Sequence, residues 1–170
     1  PLGAPVAPLG ERGRFALLRS LPPPPALRTV LGFLLLDYTL YLWHRLNHRL
    51  PFLWRFHLVH HIDRDLDSST GVRFHFGELV LAAGFRAAQV LLFGVDRGTL
   101  RVWQQAQFAS VVFHHSNLEL PEHVEQRLQA VFVTPRMHGI HHSTEVDETN
   151  ANYSSLLSWW DRAHRSLRLD

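Results

Sequence analysis

Eight of the thirteen histidines in this 170-residue chain fall into three tight groups, His44/His48, His57/His60/His61 and His138/His141/His142, and His115 directly follows His114. On an α-helix, residues three and four positions apart return to one face, so H-x-x-x-H and H-x-x-H-H aim their rings the same way. A neutral imidazole offers a metal one nitrogen lone pair and leaves its other N–H for a partner behind it. The pattern reads as a metal cage. One such pair alone is as readily an ordinary core or surface feature, but two H-x-x-H-H groups and a pair together are far harder to attribute to chance.

Composition narrows the chemistry. The chain has no Cys, which excludes a disulfide framework, thiolate zinc sites, thiolate-held iron–sulfur clusters and c-type haem attachment. Any metal is therefore held by nitrogen and oxygen. No H-E-x-x-H occurs, no Glu has His three residues later, and neither a Gly-rich phosphate loop nor a G-x-S-x-G elbow is present. What is left is a site of up to nine histidines with few carboxylates, more ligands than one ion uses, so two ions are implied. Imidazole suits iron, zinc and copper alike. Apolar helical surroundings fit iron chemistry on O2, where a dry pocket protects reactive species from water. All seventeen basic side chains are Arg, scattered along the chain with a formal net charge of only +2, so a nucleic-acid partner is not expected. Arg near apolar helices fits a membrane surface at least as well.

The elements that must carry these histidines are helical. Residues 1–25 are rich in Pro, with a run at 22–25, and read as a lead-in to one domain over 26–170. Residues 26–43 are almost wholly apolar and about long enough to cross a bilayer. Asp37 interrupts them. With about 100° per residue, Asp37, Tyr41, His44 and His48 fall within roughly 60° of one another, a polar stripe expected to face the metal. Pro51 ends that helix, and LWRFHLVHH carries the second cluster onto another. Residues 79–95 form a second apolar span, interrupted by Arg86 and Gln89, and 100–113 a third, amphipathic helix. A polar helix from Pro121 to Gln129 follows, and Pro135 is well placed to open the helix bearing the last cluster. No strand signal is evident. The chain begins without Met and without a signal-peptide pattern, as a fragment or a processed product would. Arg without Lys hints at a GC-rich bacterial source.

The ordered segments DYTLYLWHRLNH, LWRFHLVHH, RFHFGE, FHHSN, TPRMHGIHHS and NANYSSLLSWWD resemble the fatty acid hydroxylase/sterol desaturase superfamily of membrane di-iron enzymes. The resemblance covers about three quarters of the chain. It implies an all-α fold, a membrane-embedded helical bundle with a histidine-rich cap facing the cytoplasm, here of a bacterial inner membrane. Such enzymes commonly have about four crossing helices, so the two spans seen imply that an N-terminal pair is lacking.

By motif, His44 and His48 are the first-box ligands, His57, His60 and His61 the second, and His138, His141 and His142 the third. His115 is a further ligand and His114 is not. Asp37, Tyr41, His75, Glu78, Asn117, Asn152 and Asp161 are candidates to sit behind the ligands, with His75 equally readable as structural, and Glu78 pairing with Arg73, orienting a ligand histidine or standing solvated at the surface. His123 and His164 belong to no motif and read as surface residues. Where the family usually runs Phe-Gly-Thr, this chain has His164-Arg165-Ser166, a departure at the C-terminal closure. The implied cofactors are two iron ions, with zinc a possible occupant, and O2 as co-substrate. The implied partners are a lipid (sterol, fatty acyl or related), the membrane, and an external electron donor of cytochrome or ferredoxin type. The implied reaction is hydroxylation or desaturation of a lipid C–H bond in lipid biosynthesis. Two rivals come from other classes: a b-type haem electron carrier, which uses only two axial histidines, and a zinc-binding structural or hydrolytic protein.

Overall fold

A computed structural model describes residues 16–20, 24–63 and 65–170; most of the Pro-rich lead-in lies outside the described residues. In chain order the helices are α1 (Leu17–Ser20), α2 (Pro25–Arg49), α3 (Pro51–His61), a 3-10 turn (Thr70–Val72), α4 (Phe76–Phe93), α5 (Arg97–His114), α6 (Glu122–Leu128), α7 (Pro135–His141), α8 (Val146–Thr149) and α9 (Trp159–His164). The fold is the all-α bundle expected. Among the described residues there is no strand, only an isolated antiparallel bridge between Phe132 and Leu157.

Local chemistry sets the boundaries. Pro25, Pro51 and Pro135 each sit in the first turn of a helix, where a missing N–H leaves no bond unmade. Leu50, extended because a proline follows, is the single residue between α2 and α3. That tight corner aims the His44/His48 end of α2 at α3. Gly94, at φ 66°, ends α4 in the left-handed conformation a side chain disfavours. Two residues later the Asp96 carboxylate accepts the Thr99 N–H at 2.9 Å and starts α5. Helices α4 and α5 therefore form a hairpin with a short turn. Thr134 caps α7 by accepting the Met137 N–H.

The apolar core lies at the end of the bundle away from the histidines, where Leu18, Leu36, Val90, Val95, Leu100 and Trp103 pack together. Helices α2 and α4 are both long and apolar enough to cross a membrane. Only 22 % of the apolar stretch of each is buried, whereas a soluble protein's core helix would be mostly covered. Leu27, Val30, Val80, Leu91 and Leu92 stand on their open faces, the surface a lipid would cover. Helix α2 runs to Arg49, just short of Pro51 as expected, and so carries His44 and His48 on continuous backbone.

Candidate metal centre

The structure brings all nine candidate histidines together in two adjoining groups. His44, His48, His57, His61 and His141 form one group; His60, His115, His138 and His142 form the other. Within each, one ring nitrogen per residue lies within 4.8 Å of all the rest. The repeated H-x-x-H-H motif divides its rings: α3 sends His57 and His61 to the first group and His60 to the second. Helix α7 and its cap send His141 to the first, and His138 and His142 to the second. The groups abut where His61 and His142 stack at 4.2 Å between ring centroids.

Five of the rings are held from behind through Nδ1. His44 donates to the Tyr153 carbonyl at 2.7 Å, His141 to the Ala151 carbonyl at 2.7 Å, and His57 to the Glu78 carboxylate at 2.8 Å. His60 donates to the Thr70 carbonyl at 3.1 Å and His115 to the Val111 carbonyl at 2.9 Å. These acceptors fix the proton on Nδ1, so each Nε2 presents a bare lone pair. Yet the Nε2 atoms crowd together: 3.1 Å for His44–His57 and for His44–His141, 3.3 Å for His60–His115 and 3.0 Å for His115–His138.

Lone pairs at such distances repel unless a cation lies between them. Metal–nitrogen bonds of about 2.0–2.1 Å put neighbouring ligand nitrogens about 3.0 to 3.4 Å apart, depending on the angle at the metal. The spacings match. In addition, both ring nitrogens of His61 and of His142, and Nε2 of His48, are buried with no hydrogen-bond partner in the protein, as suits atoms that donate to a metal. The donor set thus fits two ions held by nitrogen.

Burial pushes His57, His61, His138, His141 and His142 well below the ordinary imidazole range, His60 to about 3 and His115 to about 4. Neighbouring imidazoles act in the same direction on most of them. At neutral pH these rings are uncharged, with lone pairs free for a metal.

The candidates behind the ligands divide. Glu78 is buried and holds His57, whereas Arg73 pairs with Asp63 at 2.9 Å. Asp161 is fully buried; its carboxylate accepts the Tyr153 and Ser154 N–H groups, both at 2.9 Å, and so positions the carbonyl that holds His44. Asn152, at φ 52°, donates to the Met137 carbonyl at 2.9 Å and accepts the Arg168 N–H at 2.8 Å. It clamps the strand-like strap between the two carbonyl acceptors Ala151 and Tyr153.

Other expectations need correction. The polar stripe on α2 does not face the histidines along its whole length. Asp37 accepts Trp160 Nε1–H at 2.7 Å and the Leu157 N–H at 3.3 Å, and the Tyr41 hydroxyl bonds to Ser166 at 2.9 Å, because the C-terminal segment packs over that part of α2. His75 is exposed and caps α4 by accepting the Gly77 N–H, away from either group. Asn117 is exposed beside a surface groove. His164 is half-buried rather than superficial, stacked against Tyr38 and Tyr41. His114 belongs to neither group, although it is fully buried against His138.

The acceptors Thr70, Val111, Ala151 and Tyr153 act through backbone carbonyls and carried no signal of residue type. Gly71 did: a Cβ there would stand 2.9 Å from Val111 and 3.1 Å from His115 Nδ1, so only Gly lets the 3-10 turn lie under that ring.

A cavity of about 220 Å³ opens onto the histidines from between α2, α4 and α5. Leu40, Trp43, Leu79, Ala82 and Phe85 give it an apolar wall, and His44, His57, His60 and His115 stand at its end.

The chain is thus an all-α bundle with two membrane-length helices, converging imidazoles that could hold metal and an apolar cavity beside them. Residues 29–166 match the sequence profile of the fatty acid hydroxylase family, and the chain belongs to that family. It is 34 % identical over 141 residues to Ornithine lipid hydroxylase OlsE of Rhizobium tropici, covering 82 % of this chain and 41 % of that protein. It is 28 % identical over 132 residues to Alkylglycerol monooxygenase of Danio rerio, covering 78 % of this chain and 28 % of the relative. With Cholesterol 25-hydroxylase of Rattus norvegicus it shares 26 % over 137 residues, covering 79 % and 45 %. The chain thus spans less than half the length of each. No solved structure matches.

Proposed function

We propose that this chain is the metal-holding domain of an O2-dependent lipid hydroxylase, with residues 26–170 as the catalytic unit. The observation that carries this reading is the set of unpartnered, mutually repelling imidazole lone pairs at the end of an apolar cavity. His44, His48, His57, His61 and His141 would hold one iron ion and His60, His115, His138 and His142 the other. Bound iron would supply O2 activation. One oxygen atom would enter a lipid C–H bond and the other leave as water, with two electrons from an external cytochrome- or ferredoxin-type donor and two protons from solvent. Desaturation is the related outcome, two hydrogens leaving instead.

The chain's own residues do the positioning. Trp43, Leu79, Ala82 and Phe85 hold the lipid and exclude water, which strengthens polar interactions at the reacting end. Glu78, Asp161 and Asn152 keep the rings aimed. Exposed apolar faces on α2 and α4 support an integral membrane placement, and on this reading the histidine cap would face the cytoplasm. Names of the relatives support a lipid as substrate: an ornithine lipid, an alkylglycerol and cholesterol are all oxygenated by proteins of this family. The haem alternative uses only two imidazoles across a flat macrocycle, and groups of five and four with their ring nitrogens within 4.8 Å of one another favour bare ions instead.

The test is to incubate the detergent-purified, iron-loaded protein with lipid extract, a reductase chain and isotopically heavy O2. One heavy oxygen atom in a lipid alcohol is expected. A protein that retains two redox-inactive metals and consumes no O2 under reductant would instead be structural or hydrolytic.

A further inference from the structure

The end of the cavity remote from the histidines carries a charge that the reading above does not use. Arg86 lines the cavity on α4, its guanidinium carbon 4.1 Å from the centre of the Trp103 ring. One of its amino groups donates to the Gln89 side chain. Among the described residues no carboxylate lies within ion-pair distance of it. Gln107 joins it on the cavity wall, one helical turn from Trp103 on the same face of α5. A guanidinium has five donors, and a charge placed in an apolar helical bundle is costly unless those donors are used.

Position gives the residue a meaning. Helix α4 places Glu78, which holds His57, and Arg86 eight residues apart on one face, about 12 Å along the axis. Leu79 and Ala82 lie between them along the cavity wall. The cavity therefore has a metal-facing end, an apolar middle and a cationic end.

We infer that Arg86 is a specificity-determining residue that receives the carbonyl oxygen of an acyl lipid, fixing how far along the chain the reacting carbon lies. This rests on the hydroxylase reading for its consequence, though not for its test. An acyl carbonyl or carboxylate accepts from the guanidinium, whereas a plain hydrocarbon leaves those donors bare in an apolar site. A hydrogen bond to a charged group is worth roughly 1.5–3 kcal/mol, or about ten- to a hundredfold in affinity.

The experiment measures binding of two probes of equal chain length, methyl palmitate and hexadecane, to the metal-free, detergent-solubilised full chain. The wild-type protein should bind the ester at least about tenfold more tightly. Arg86→Gln should bring the two probes to near equality, and Arg86→Lys, which keeps a charged donor, should restore part of the preference. If the wild type does not prefer the ester, the assignment is overturned whatever the variants do. It is equally overturned if a folded Arg86→Gln protein keeps the preference, since Arg86 would then only pack on Trp103 or balance the buried Asp37. An Arg86-dependent preference supports the assignment even where no lipid is oxygenated, an outcome that would sink the hydroxylase reading alone.

Discussion

Removing the Glu78 carboxylate separates a metal-site role from a structural one. Glu78 Oε1 accepts His57 Nδ1–H at 2.8 Å, while Oε2 is buried with no partner. In the metal-free protein the carboxylate is therefore half-satisfied, and burying such a group is costly. Glu78→Ala removes this half-satisfied carboxylate but also leaves the buried His57 Nδ1–H without its acceptor, so the opposing effects should leave the metal-free protein's melting temperature little changed. In the metal-loaded protein the same contact fixes the His57 tautomer with Nε2 free, and keeps the ring aimed at its neighbours. Loss of a partner behind a ligand typically weakens metal binding about 10- to 100-fold, or roughly 1.4–2.8 kcal/mol. A hydrogen bond to a charged group falls in the same range. Competition against a chelator of known affinity, with the melting curve of the stripped protein alongside, gives both numbers. Glu78→Gln, which keeps an acceptor oxygen without the charge, should fall between wild type and Glu78→Ala. If Glu78→Ala binds metal as tightly as wild type while His57→Ala does not, the account of how the ring is held is wrong.

Three further outcomes follow from single features. Gly71→Ala places a methyl group 3.1 Å from His115 Nδ1 and should weaken the four-histidine group selectively, read as the more labile of two metals in a chelation time course. Arg165 sits at φ 55°, at the position of the family's usual Gly, so Arg165→Gly should stabilise the fold by about 0.5–1 kcal/mol, measured by thermal melting. Asp161→Ala strips the Tyr153 and Ser154 N–H groups and the Ser166 hydroxyl of their acceptor in a fully buried setting. A loss on the order of 3 kcal/mol in denaturant unfolding is expected.

Acid should also unfold the metal-free protein. Buried histidines such as His60 and His115 titrate near 3 and 4 when folded, against an ordinary value of about 6.5. Between those limits the unfolded chain binds more protons, so stability is full above about pH 6.5 and falls as the pH drops toward 4. A melting temperature indifferent to pH between 7 and 5 would refute the neutral, buried state of these rings.

The convergence of the candidate histidines was legible because helical spacing dictates which rings share a face. Glu78 could be anticipated only as one of three readings, an ion pair with Arg73, a partner for a histidine or a solvated surface group, since nothing local separates them. The Asp37–Tyr41 stripe misled for a physical reason: it shares a helix face with His44 and His48, but α2 is long enough for two different neighbours to cover it. Which neighbour covers which turn is a tertiary fact, set by the C-terminal segment that brings Trp160 and Ser166 against α2. His75 takes the structural of its two readings, its ring capping a helix away from both histidine groups. The carbonyls behind His44, His60, His115 and His141 were invisible because every residue has one.

The central claim, that nine imidazoles from four helical segments hold two ions, is tested most directly by counting metal in the purified full-length chain. Elemental analysis of the iron-loaded, desalted protein should give two ions per chain, and His141→Ala, still folded by its far-ultraviolet circular dichroism, should lose the ion of the five-histidine group. A folded wild-type protein that retains no more than trace metal after loading would contradict it.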